Sequence, residues 1–192
     1  MTQPSNTTIK VWDPLIRVFH WSLASFFIIA YLTEGEVMPL HAYAGYGIVS
    51  LVAFRLIWGI IGTHHARFRN FVTGPGTTIN YLKDITQGKA KRFIGHNPAG
   101  AAMIVALLLM VTLTAFSGMA LLSVDGEGPL ANSFFATMNE HDLKEVHELF
   151  ANLTVLLVAL HVAGVIASSW LHKENLVRAM LNGKKSSDHT SH

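Results

Sequence analysis

An all-α membrane protein, a bundle of four transmembrane helices with both termini cytoplasmic, is the fold class that this sequence predicts, and three observations predict it. Of 192 residues, 51 % are hydrophobic and only 14 % charged, whereas soluble domains carry about 25 % charged residues. Four stretches reach the roughly 20 apolar residues that a membrane-crossing helix needs. The lysines and arginines between them fall almost entirely on one side. The same composition excludes disorder, and a formal charge of +2 on so apolar a chain excludes nucleic acid as a partner. There is no cysteine. A disulfide framework, a cysteine zinc site, an iron–sulfur cluster and thioether-linked haem are therefore ruled out. Any metal chemistry falls to the eleven histidines or to carboxylates.

The first span runs from about 15 to 32 and holds Arg17 and His20 near its start. Its basic flank resembles a secretory signal, but the run is long and Tyr31-Leu32-Thr33-Glu34-Gly35 lacks a small-x-small cleavage pattern, which predicts a retained anchor. The second, about 41 to 62, has Arg55 as its only formal charge. After it, Gly74-Pro75-Gly76 breaks the chain, and Ile79, Leu82 and Ile85 recur at three-residue spacing. That spacing predicts a short helix on the membrane surface. The third span, about 99 to 122, carries no charge and opens on Asn97-Pro98, a cap followed by a first-turn proline. The fourth, about 142 to 171, begins at Asp142-Leu143-Lys144-Glu145, which has the form of a capping box. One domain covers 1 to 192, with 181–192 as a flexible tail.

Orientation follows from the cations. Lys10 and Arg17, then Arg67, Arg69, Lys83, Lys89, Lys91 and Arg92, then Lys173, Arg178, Lys184 and Lys185 share one side. Lys144 stands alone on the other, among Glu34, Glu36, Asp125, Glu127, Glu140, Asp142, Glu145 and Glu148. The positive-inside bias puts both termini in the cytoplasm and an acidic face outside. In a bacterial inner membrane, outside is the periplasm.

Ionisable groups at membrane depth are costly and point to function. His147 and His161 are fourteen residues apart on the fourth span. At about 100° per residue they share a face, about 21 Å apart along the axis. Chain direction then sets the depths: the first span starts inside and the fourth outside, so His161 descends to the cytoplasmic level of His20, and His41, at the outer start of the second span, lies level with His147. Two facing imidazoles at one depth in an apolar bundle suit the axial positions of a haem iron. Arg55, fourteen residues after His41, shares its face. The spans supply no carboxylate at that depth, so a haem propionate fits as its anion, against the simpler reading of a side chain snorkelling to the headgroups. Gly45, Gly59, Gly118 and Gly164 admit close approach by a porphyrin or by a neighbouring helix equally well.

The remaining histidines read more plainly. A solvated basic loop accounts for His64, His65 and His96, a surface position for His141, headgroup contact for His172, and a polar tail for His189 and His192. Trp12, Trp21, Trp58 and Trp170 form an inner interfacial belt, with Tyr31, Tyr43 and Tyr46 nearer the outer interface.

Taken in order, Val11-Trp12-Asp13-Pro14 and Arg17-Val18-Phe19-His20-Trp21, His41-Ala42-Tyr43-Ala44-Gly45, Phe54-Arg55-Leu56-Ile57-Trp58-Gly59 with Gly62, His147-Glu148 and His161 resemble the bacterial cytochrome b561 family and the b-type cytochrome subunits of nickel–iron hydrogenases. The tail Lys173-Glu174-Asn175-Leu176-Val177-Arg178-Ala179-Met180 is similar too. The resemblance implies a membrane cytochrome with two b haems per chain, one on His20 and His161 and the other on His41 and His147. It also implies electron transfer between a quinone pool and a redox partner. Soluble periplasmic c-type cytochromes are partners within the family, and the acidic outer face suits a basic patch on one of them. Hydrogenase subunits of this kind have longer loops or an extra helix for docking, which a chain this compact lacks. Two other readings stand beside this one. The first is a superoxide:quinone oxidoreductase of the same fold, with Lys144 drawing the anion and the acidic loop repelling it. The second is a haem-free anchor or ion carrier whose histidines relay protons. Lipid surrounds the spans, and the sequence leaves a homodimer open.

Overall fold

The computed structural model describes residues 8–186. A three-residue strand β1 (Thr8–Lys10) precedes helices α1 (Pro14–Leu32) and α2 (Met38–Ile61). A surface helix α3 (Pro75–Thr86) lies in the connection to α4 (Pro98–Val124); α5 (Glu140–Leu171), α6 (Leu176–Asn182) and strand β2 (Lys184–Ser186) complete the order. Four helices, α1, α2, α4 and α5, are long and apolar enough to cross a membrane. Large apolar side chains such as Ile60, Leu109, Leu156 and Ile166 point outward along them, as lipid contact requires.

Local chemistry fixes the helix ends. Asp13 caps α1, its Oδ1 accepting the Ile16 amide at 3.0 Å, with Pro14 in the first turn. Asn97 caps α4, accepting the Gly100 amide at 2.7 Å. For α5 the cap lies three residues before the capping box expected at Asp142. Asn139 Oδ1 accepts the Asp142 amide at 3.3 Å, and the helix is already under way at Glu140. Asn139 is the better acceptor site because it lets Glu140 and Asp142 both occupy the first turn, where carboxylates favour the positive end of the helix.

Contacts divide the described residues into two compact units, each built from separated segments: residues 8–19, 56–103 and 161–186 in one, and residues 20–55 and 104–160 in the other. The second unit holds an apolar cluster of Ile48, Val52 and Val111, packed by Leu23, Phe26, Phe27, Ala30 and Ala115 from α1 and α4. Its α4 and α5 meet at a polar point, where the hydroxyls of Thr114 and the fully buried Thr154 lie 3.0 Å apart.

The first unit is closed by a clasp. β1 and β2 pair antiparallel, with Thr8 opposite Ser186, Ile9 opposite Lys185 and Lys10 opposite Lys184. The carbonyl of Gly183, in the left-handed conformation at φ +78°, then accepts the amides of Val11 and Trp12 at 2.8 and 3.1 Å. A side chain at 183 would also meet the Trp12 carbonyl at 2.5 Å, so only glycine fits. Glu174 bridges two cations here, Arg92 at 3.0 Å and the buried Lys185 at 3.4 Å. The expected flexible tail from 181 is thus corrected within the described residues. Leu181 and Asn182 end α6, and 184–186 are strand, because the clasp satisfies their backbone; 187–192 lie outside the described residues.

Trp12 is corrected as well. It is buried in the first unit, against Val11 and Ala179, instead of standing in an interfacial belt. Trp170, by contrast, is 85 % exposed, as an interfacial residue would be.

Candidate haem-ligating site

Within the second unit, His41 near the start of α2 and His147 in the first turns of α5 face each other. Their ring centres are 6.0 Å apart and their planes cross at 84°. Each ring is held from behind by the backbone. His41 Nδ1 donates to the Ala30 carbonyl at 2.8 Å. His147 Nδ1 donates to the Thr114 carbonyl at 3.0 Å. A carbonyl only accepts, so both Nδ1 atoms carry the proton and each Nε2 keeps its lone pair. That is the tautomer a metal-binding imidazole requires.

Ser117 adds a second acceptor to His147. Its hydroxyl donates to the Thr114 carbonyl at 2.9 Å and presents its oxygen to His147 Nδ1 at 3.1 Å. Ser117 is buried, and the Thr114–Thr154 contact lies on the same two helices. Neither Thr114 nor Ser117 was singled out from sequence. The available signal was a cluster of hydroxyls in an otherwise apolar, charge-free span. Beside them, a side chain at Gly118 would sit 3.0 Å from His147 Cε1, so the glycine makes room for this ring. Gly59 has a different purpose, since a Cβ there would overlap the Phe68 ring; Gly45 and Gly164 have open space around them.

The haem that the sequence points to passes a fit test at this pair. Two imidazoles bound through Nε2 to one metal, at about 2 Å each, place their ring centres about 6 Å apart. The observed spacing matches, and the anchored Nδ1–H groups leave the correct nitrogens to bind. No group of three or more metal-ligating side chains forms among the described residues.

The other expected pair divides between the two units, so its pairing rests on depth along the helices. His20 lies in α1 with its ring edge-on to Trp21 at 5.1 Å. His161 lies in α5, among the segments of the first unit. Arg55 is 3 % exposed. A guanidinium snorkelling along lipid to the headgroups would be exposed, and this one is not.

Outside the spans, Asp13 ties α1 to the end of α2. Its Oδ2 accepts from Thr63 Oγ1 at 2.7 Å and from Trp58 Nε1 at 3.3 Å. Burial alone would raise its pKa, but these bonds and the Ile16 amide together outweigh burial and hold it below the ordinary carboxylate value.

The sequence profile described as prokaryotic cytochrome b561 matches residues 11–183. A probable Ni/Fe-hydrogenase B-type cytochrome subunit of Bradyrhizobium diazoefficiens is 24 % identical, over 93 % of this chain and 86 % of its own length. Its counterpart in Azotobacter chroococcum is 24 % identical over 92 % and 88 %. That of Rhizobium leguminosarum bv. viciae is 21 % identical over 93 % and 89 %. No solved structure matches the chain. The profile covers all four spans and reaches from Val11 to the glycine of the clasp. The chain belongs to the prokaryotic cytochrome b561 family, as a multi-pass membrane b-type cytochrome that binds haem b and transfers electrons.

Proposed function

We propose that this cytochrome holds two b haems and passes electrons between a membrane quinone pool and a redox protein at the outer face of a bacterial inner membrane. A periplasmic c-type cytochrome fits that second role. In this reading His41 and His147 are the axial ligands of the outer haem, His20 and His161 those of the inner one, and Arg55 neutralises a propionate. The observation that carries it is the opposition of His41 and His147 at 6.0 Å with both Nδ1–H groups anchored on carbonyls. Haem, held by these histidines, would supply a one-electron carrier. The chain's own part is to hold two rings in one tautomer, keep water from them and counter the negative charge of the cofactor.

A second reading is favoured by the named relatives: electrons arriving from a nickel–iron hydrogenase instead of a soluble cytochrome. The two differ in partner and share the haem scheme. Pyridine haemochrome assay of purified protein tests that scheme, with two b haems per chain expected. His41→Ala and His147→Ala each remove one and the same haem, and His20→Ala and His161→Ala each remove the other. Loss of different haems by the two members of a pair overturns the pairing.

A further inference from the structure

Three of the histidines expected in a solvated loop are gathered in the first unit around a cleft of about 160 Å³. His64 and His65 come from the end of α2, and His96 from the residues before α4. Phe71, Phe93 and Gly95 complete most of the lining. Trp12 closes the side next to the clasp, its ring 4.5 Å from His96 and 6.4 Å from His65, edge-on to the latter. Phe71 packs on His96 from another side at 4.3 Å. Four separate stretches of chain are thus spent on this one place: the segment between β1 and α1, the connection after α2, the approach to α4, and β2, whose Lys185 ammonium lies 5.9 Å over the Trp12 ring.

The lining decides what belongs in the cleft. It has imidazoles and one carboxamide, Asn70, but no lysine, arginine, aspartate or glutamate. An anionic headgroup would find no counter-charge in the wall, and a cation no carboxylate. A neutral planar ring with carbonyl oxygens finds aromatic faces to stack on and N–H groups to bond. The volume admits one such ring and no double-chained lipid head. In sequence, Ile60 and Ile61 end the helix that leads into His64 and His65, and they are 72 % and 70 % exposed, an apolar surface along which a lipid tail can lie. Burial, His64 and Lys185 all lower the pKa of His65, so at neutral pH it keeps one N–H and one lone pair.

We infer that this cleft is where the ring of a membrane quinone binds, stacked beside Phe71 and Phe93 and hydrogen-bonded by His65 and His96. The inference rests on the quinone reading above and adds its place. Binding alone is claimed, with no covalent or redox step.

The test uses haem-loaded protein in detergent and a short-tailed benzoquinone bearing an aryl azide, with a naphthoquinone analogue in parallel. Photolysis followed by peptide mass mapping should label the segments 64–71 and 93–96, saturably and in competition with the unmodified quinone. Gly95→Val, which fills the cleft, and His65→Leu, which removes a donor, should each cut that labelling at least tenfold. Haem content and the dithionite-reduced spectrum report that both variants still fold. Saturable labelling confined to other segments, or unchanged in both variants, overturns this site and leaves the quinone reading standing. Absence of saturable labelling together with no haem reduction by either quinol overturns the quinone reading itself, and the site with it.

Discussion

At the scale of single residues, the proposed ligand pair is distinguished by what stands behind each imidazole. His147 donates one proton to two acceptors, the Thr114 carbonyl and the Ser117 hydroxyl. Acceptors behind a ligand raise its basicity and favour the oxidised metal. Ser117→Ala removes one of them, a bond worth about 1 kcal/mol, and leaves the carbonyl. On the proposed two-haem scheme, the expected result is full haem content with an upward shift in the midpoint potential of the His41–His147 haem and none in the other's, read by redox titration. Asp13 supplies a pH dependence. Its pKa is lowered on folding, so its contribution is complete above the ordinary aspartate value of about 4 and is lost as pH falls through the lowered one. Asp13→Ala should cost about 1–2 kcal/mol at neutral pH. Thermal melts in detergent should show the loss shrinking as the pH drops below about 4.

At the scale of elements, the clasp of β1 and β2 gathers two ion pairs on one carboxylate. Glu174 is 13 % exposed and answers both Arg92 and Lys185, whose side chain is 4 % exposed. Glu174→Ala strands the Lys185 charge in a buried place and should cost about 3 kcal/mol. Lys144→Ala breaks only the exposed pair with Glu148 at 3.9 Å and should cost less than about 0.5 kcal/mol. Comparative melting separates the two.

These same elements mark where sequence reading stops. The four spans were legible because lipid demands unbroken apolar runs, and the common level of His41 and His147 because a helix has a fixed rise. The clasp was not legible. Thr8–Lys10 and Lys184–Ser186 are too short to show a period, and their partners lie at opposite ends of the chain. The start of α5 was misplaced because Asp142 and Glu145 have capping-box spacing, while the acceptor in use is Asn139. His65 and His96 looked solvated because only the folded connection brings Trp12 and Phe71 against His96.

At the scale of the whole molecule, the distribution of cations makes a statement about sidedness that labelling can check. The chain contains no cysteine, so any introduced thiol is unique. Asn132→Cys lies in the acidic loop between α4 and α5, and Gln87→Cys at the end of α3; both positions are exposed. A membrane-impermeant maleimide added to intact spheroplasts should modify the first and spare the second, and disruption of the membrane should equalise them. The reverse pattern would invert the proposed orientation. It would also move the acidic face away from any periplasmic carrier.

The clasp also constrains how the protein is made. Its second strand is synthesised after the last span, more than 170 residues behind its partner. The first strand must therefore wait, exposed at the membrane surface, until synthesis is almost complete. Both strands must arrive on the same side for the ladder to form. A chain in which one span has failed to insert delivers them to opposite sides and leaves two open edges and an unanswered Glu174. The ladder therefore closes only when the chain has crossed the membrane an even number of times, as its four spans do.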